Sequence, residues 1–216
     1  MTPTPTRTDE TKASYDRLAG EYARRLYDEL AHKPLDRALL DAFAADLRGV
    51  GPVCEVGCGP GQVARYLHDR GVDASGLDLA PAMVAEARLR NPGMAFVEGD
   101  LRALPFDDEA LAGVVAFYSL IHLERDALVP ALRELGRVLR PEGQLFVAFH
   151  VGAEVRRVEE LWGEKAALDF VFFGVDEMRG ALESAGFTVT ATTERDPYPE
   201  VEAQTRRAYI RAAKGA

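Results

Sequence analysis

Val53-Cys54-Glu55-Val56-Gly57-Cys58-Gly59-Pro60-Gly61-Gln62 is the stretch from which the fold can be read. Its apolar start reads as a short strand, and its three glycines at alternate positions as a tight loop. Val63-Ala64-Arg65-Tyr66-Leu67-His68 follows with apolar residues at three- and four-residue steps, the mark of a helix. Strand, glycine loop and helix make the opening unit of an α/β nucleotide-type fold. Glycine has no Cβ, so the loop can turn sharply and let a ligand approach its backbone. The free N–H groups at the start of the next helix favour an anionic group there.

Spacing narrows the ligand. A dinucleotide loop reads G-x-G-x-x-G, one residue longer before its third glycine than Gly57, Gly59 and Gly61. A phosphate loop needs Lys and a hydroxyl residue, and neither follows Gly61. E-x-G-x-G-x-G remains, with Glu55 as the acid at the strand end. A carboxylate there repels a pyrophosphate and attracts an ammonium, so the ligand should carry a cation as well as an anion. S-adenosylmethionine carries an ammonium, a carboxylate and a sulfonium. The stretch resembles that of the class I S-adenosylmethionine-dependent methyltransferases, in particular the small single-domain members that act on small molecules. The resemblance covers about residues 13–215 in element order, with its specific motifs between residues 53 and 123. For the loop alone, a glycine-rich turn in an unrelated α/β protein is the plainer alternative.

The rest of the chain accommodates that reading. Its 216 residues suit one domain with a full core, and 47% hydrophobic content is ordinary for a globular chain. Leu111 to Ile121, the longest nearly apolar run, falls short of the ~20 residues that span a bilayer. Met-Thr-Pro-Thr-Pro-Thr-Arg at the start lacks the apolar centre of a signal peptide, so a cytoplasmic protein without membrane association is expected. A net charge of −9 disfavours binding to a phosphate backbone, and nucleic acid is not expected as a partner. Cys54 and Cys58 have no second Cys or His pair at ligand spacing, so no metal is expected. The expected organisation is a disordered tail over residues 1–11 and one domain over 12–216. Residues 12–48 would form a helical cap, in which Tyr15, Leu18, Ala19 and Tyr22 recur at helical steps and Pro34 separates two segments. The resemblance implies a Rossmann-like, seven-stranded, mostly parallel sheet with helices on both faces and an antiparallel C-terminal hairpin.

Candidate cofactor residues follow the strand ends. Asp78 ends a second strand 17 residues beyond Gly61, near the spacing of a ribose-binding acid; an Asp capping the next helix is its other use. Leu79 and Met83 continue that motif. The resemblance assigns Glu55 to the methionine ammonium, and Gly57, Cys58, Gly59 and Gly61 to the loop beside methionine and ribose. It places Asp100 and Leu101 at the adenine, and Tyr15 and Tyr22 over the cofactor or acceptor; both tyrosines also fit as core aromatics. Leu111 to Tyr118 reads as a strand buried on both faces, which would set Phe117, Tyr118 and Ser119 near the transferable methyl.

His122 is a candidate general base, because an imidazole takes a proton near neutral pH. His150, ending the fifth strand, is a second; both also suit structural hydrogen bonds. Residues 151–175 interrupt the alternation of strand and helix, with Val155 to Leu161 reading as helical. The resemblance makes this insertion an acceptor pocket containing Trp162, Phe170, Phe172 and Phe173. Those aromatics equally suit a core or dimer surface, and a monomer or homodimer is expected. The implied activity is methyl transfer to an O, N or C nucleophile of a small molecule, secondary metabolites included. Alternatives are another transferase or a nicotinamide enzyme on the same scaffold, or a non-catalytic, partner-dependent cofactor-binding subunit.

Overall fold

The sheet grows outward from the strand that ends in the glycine loop. In the computed structural model, which describes residues 5–215, β1 (Pro52–Val56) lies parallel to β2 (Asp73–Asp78) on one side and β4 (Leu111–Phe117) on the other. β3 (Phe96–Glu98) pairs beyond β2, and β5 (Leu139–His150) beyond β4, both in parallel. β9 (Arg207–Lys214) runs antiparallel to β5 and to β8 (Phe187–Arg195), completing the order β3-β2-β1-β4-β5-β9-β8. This is the seven-stranded, mostly parallel sheet with the antiparallel C-terminal hairpin. The strand order reverses between β1 and β4, the place where open α/β sheets bind ligands.

Every residue of β4 is buried, as a central parallel strand requires. Along β5 the side chains alternate: Leu145, Val147 and Phe149 enter one core, Phe146 and Ala148 the other. The first core packs α5 (Arg125–Val138) and α6 (Val175–Ser184) on one face. The second packs α2 (Pro34–Leu47) and α3 (Gln62–His68) on the other, through residues such as Phe43 and Val63. α4 (Pro81–Arg90) connects β2 to β3. Only the first half of the expected helical cap is a cap; α2 is a layer of the main body.

α1 (Arg7–Leu26) begins within the stretch expected to be a disordered tail, so residues 7–11 are helical, and residues 1–4 lie outside the described residues. The cause is a capping box. Asp9 N–H donates to Thr6 Oγ1 at 3.2 Å, and Thr6 N–H donates back to Asp9 Oδ2 at 2.9 Å.

The expected helix at Val155–Leu161 is a strand. β6 (Val155–Leu161) and β7 (Glu164–Val171) form a separate hairpin closed by Trp162 and Gly163. Both turn residues have positive φ, 56° and 86°, the geometry of a two-residue turn that matches strand twist. Val155, Val158 and Leu161 keep a three-residue step that suits a helix, but the strand partner decides. Along β7, Ala166 and Leu168 share one face and are buried against Leu18 of α1, while Val171 at its end enters the main core. The hairpin and α1 share this small cluster of their own, so together they roof the carboxyl end of the sheet.

Candidate functional site

Under that roof lies a partly open cleft. Its floor is the glycine loop. Gly57 has φ +70°, and a Cβ there would lie 2.4 Å from Ser119 Cβ, so the loop passes the end of β4 with no room for a side chain. Gly61 has φ +82° and caps α3; its Cβ would meet Phe96 at 2.8 Å. Gly57 N–H and Cys58 N–H both donate to Leu77 O, at 2.7 and 3.0 Å, which ties the loop to β2.

Asp78, 9% exposed, stands at the end of β2 and lines the cleft. Its Oδ2 accepts from Gly59 N–H at 2.8 Å and its Oδ1 from Ala80 N–H at 2.9 Å. Each oxygen retains a lone pair, so the carboxylate can accept two further hydrogen bonds. Burial raises its pKa to about 6, against the pull of the Ala80 and Gly59 donors. Leu79 and Met83 continue the wall, and Gly59 faces Tyr22, whose Cε1 lies 3.7 Å from where a Cβ would stand.

Asp100 and Leu101 lie farther along the same wall. Asp100 is clasped by Arg102, whose Nε and Nη2 donate at 3.0 and 2.6 Å. Partial burial works upward on Asp100, yet the Arg102 hydrogen bonds hold its pKa below the usual carboxylate value.

At the other end, Phe117, Tyr118, Ser119 and His122 close the cleft, with Tyr15 above them. Tyr118 has φ +59°, a costly conformation for a non-glycine residue, of the kind that collects at functional sites. Ser119 Oγ is buried and makes no hydrogen bond. His122 has a defined tautomer: Nδ1–H donates to Asp169 O at 3.0 Å, since a carbonyl only accepts, and Nε2 accepts from Tyr15 Oη–H at 2.8 Å. Burial lowers its pKa to about 4, so it is neutral at pH 7. Tyr15→Phe leaves Nε2 without its donor, and a stability loss of about 1–3 kcal/mol is expected in chemical denaturation. Unchanged stability would show that the Tyr15–His122 bond is not made.

Several expected site residues stand back from the cleft wall. Glu55 is buried beneath the loop, where Oε2 accepts from Ala64 N–H at 2.8 Å in the first turn of α3. Burial raises its pKa well above the usual value. Cys58 is buried in a small cluster with Phe96, and Gly61 lies behind it. His150 stacks on Phe172 with ring centroids 5.2 Å apart, and its Nδ1 shares a 2.8 Å hydrogen bond with Thr205 Oγ1. Burial, with Arg207 and Lys33 nearby, lowers its pKa to about 3. Phe170 packs on the His122 ring at 5.0 Å, Trp162 sets its edge to Tyr22 at 5.8 Å, and Phe173 belongs to the main core. These aromatics support the wall residues from behind.

Thr8, Thr11, Gly99 and Arg102 line the cleft without having been singled out in the sequence. Only Thr6-x-x-Asp9 could have signalled the first two, by extending α1 toward the start. No helix among the described residues is long and apolar enough to cross a membrane. Among the same residues no cluster of His, Cys, Asp and Glu could hold a metal ion.

A family model described as a methyltransferase domain matches residues 53–143, the segment that builds the loop, Asp78, Asp100 and His122. Over 153 residues the chain is 32% identical to a malonyl-[acyl-carrier protein] O-methyltransferase of Enterobacter lignolyticus, covering 69% of this chain and 57% of that protein. It is 39% identical over 112 residues to a demethylmenaquinone methyltransferase of Beutenbergia cavernae, covering 52% and 45%. The chain thus spans about half the length of these curated relatives. The structure of a DhpI–SAH complex superposes with a TM-score of 0.75 at 20% identity over 99% of both chains, a likeness of fold. By its sequence matches and its sheet, the chain belongs to the class I S-adenosylmethionine-dependent methyltransferases.

Proposed function

We propose that the protein transfers the methyl group of S-adenosylmethionine to an O, N or C nucleophile of a small-molecule acceptor. One observation carries this reading. A glycine loop, a buried carboxylate with two free acceptor positions and an aromatic end wall line one cleft beneath a helical roof. When bound, the cofactor supplies a methyl carbon made electrophilic by its sulfonium. Asp78 accepts from the two ribose hydroxyls, and Asp100 and Leu101 flank the adenine. Gly57 and Gly59, the loop residues on the cleft wall, give the methionine and ribose portions their close approach. Glu55 acts through α3, holding the start of that helix by accepting from Ala64 N–H, and so sets the loop beside the methionine ammonium. Tyr15, Tyr22 and Tyr118 exclude water from the transfer and hold the acceptor in line.

The malonyl and menaquinone names of the relatives support a small metabolite or a carrier-bound acyl group as acceptor. The test is calorimetry with S-adenosylhomocysteine, with NAD and ATP as controls, followed by assays of S-adenosylhomocysteine release from S-adenosylmethionine across an acceptor panel. Selective micromolar binding together with turnover is expected. Binding of NAD or ATP in its place would overturn the cofactor assignment. Tight binding with turnover only after a second protein is added would favour the partner-dependent subunit.

A further inference from the structure

Behind Tyr118 the structure holds a buried cluster of charges that the cofactor does not use. Lys33, Arg195 and Arg207 have side chains 5%, 7% and 4% exposed. All three converge on Glu202, itself 4% exposed. Glu202 Oε2 lies 3.3 Å from Lys33 Nζ and 3.1 Å from Arg207 Nε, and accepts from Arg195 Nη2 at 3.2 Å. Oε1 accepts from Arg195 Nη1 and from Tyr198 N–H. Burial works to raise the Glu202 pKa, but Arg195, the Tyr198 N–H, Arg207 and Lys33 hold it at about 2.

The cluster adjoins the cleft. Tyr118, whose ring forms the end wall, shares a 3.2 Å hydrogen bond with Tyr209 Oη. Tyr209 donates to Asp36 at 2.8 Å and accepts from Arg195 at 3.0 Å. Arg207 stands 5.8 Å from the Tyr118 ring centroid.

Glu202 belongs to the irregular segment 196–206 between β8 and β9, much of which is exposed. Fastening such a loop does not require three buried cations, because buried ion pairs stabilise little relative to apolar packing. The fit is also imperfect. Arg207 Nε is buried and makes no hydrogen bond, although Glu202 lies 3.1 Å away. Arg207, Lys33 and Arg156 stand near His150 with Glu202. Lys33 and Arg195 have second carboxylate partners in Glu29 and Asp36, which leaves Arg207 as the cation paired with Glu202 alone. Both imidazoles are neutral and weakly basic, which suits an acceptor that is already ionised.

We propose that the acceptor is an acid, a carboxylate or a phospho acid, whose oxyanion binds Lys33, Arg195 and Arg207 by displacing Glu202, the carboxylate that holds its place in the closed protein. This rests on the methyltransferase reading and names its substrate class. Exchange of one carboxylate for another leaves the buried charge balanced, and the strained Tyr118 backbone is where the wall would yield.

The test titrates sodium malonate, inorganic phosphate and neutral malonamide into the S-adenosylhomocysteine complex by calorimetry at fixed ionic strength. Wild type, Glu202→Gln and Lys33→Met are compared. Glu202→Gln should bind at least one anion about tenfold or more tighter than wild type, and Lys33→Met about tenfold or more weaker. Malonamide should not bind. Opposite shifts from two neighbouring buried substitutions do not arise from general destabilisation, and Glu202→Gln decides alone if Lys33→Met does not fold. Whichever anion binds tighter assigns the carboxylate or phospho class. Absence of anion binding in Glu202→Gln, or equal affinities in all folded proteins, would overturn the proposal. Failure of S-adenosylhomocysteine itself to bind would instead strike the reading beneath it.

Discussion

Gly57→Ala is expected to cost the protein its cofactor. Residue 57 sits at φ +70°, where a Cβ costs about 1–2 kcal/mol through local sterics alone. The new methyl would stand 2.4 Å from Ser119 Cβ and 3.5 Å from Ser119 Cα, so the loop or the end of β4 must shift. Overpacking of this kind adds about 1–3 kcal/mol. The shift moves the two walls between which the methionine portion lies, so S-adenosylhomocysteine affinity should fall by at least about 30-fold, or ~2 kcal/mol. Gly163→Ala is the control. It has a similar backbone, φ +86°, but nothing within 4 Å of the added carbon. That variant should lose about 1–2 kcal/mol of stability and keep its cofactor affinity. If Gly57→Ala matched wild type in calorimetry, close approach of the loop backbone would not be what the site requires.

Where the sequence was legible, the signal was local. The glycine spacing, Glu55 at a strand end and Asp78 at the next lie within 24 residues of each other, and short-range geometry ties them to one βαβ unit. Leu111 to Phe117 could be placed in the sheet centre because a strand buried on both faces leaves no polar alternation. β6 was not legible. Its charged residues and three-residue apolar step obey the helix period, and the contrary signal is the Trp162-Gly163 turn together with a partner strand. Glu55 shows a second limit. Its position in the motif was clear, but its neighbour Ala64 is set by how α3 leaves the loop, which spacing cannot reveal. The charge cluster was the least visible. Asp36 and Arg195 are 159 residues apart, and each reads as an ordinary surface charge until the sheet brings β8 beside α2.

The pH dependence of cofactor binding should carry the signature of Asp78. Its pKa, raised to about 6 by burial, lies above that of an ordinary aspartate in the unfolded chain. For a group shifted in this direction, the stability contribution is complete below the unfolded pKa. It is lost as pH rises through the folded one, amounting to roughly 3 kcal/mol by pH 8. The fold therefore carries an ionised carboxylate at a cost, which hydrogen bonds from two ligand hydroxyls would offset. Protonation removes part of that acceptor capacity. S-adenosylhomocysteine affinity should be flat from pH 7 to 8 and weaken below pH 6, approaching about tenfold per unit. His122 and His150, with pKa values near 4 and 3, do not titrate in this window. Glu55, whose pKa burial also raises, lies beneath the loop on Ala64 N–H and keeps its titration in an Asp78 variant, which separates the two. Asp78→Asn should bind at least ~1–3 kcal/mol more weakly at pH 8 and lose the part of the dependence that Asp78 contributes, because its amide does not ionise and presents a donor where an acceptor is needed. A wild-type affinity that changes between pH 5 and 8 no more than that of the variant would mean the ribose is held elsewhere. The raised pKa of Asp78 would then be a consequence of burial with no part in binding.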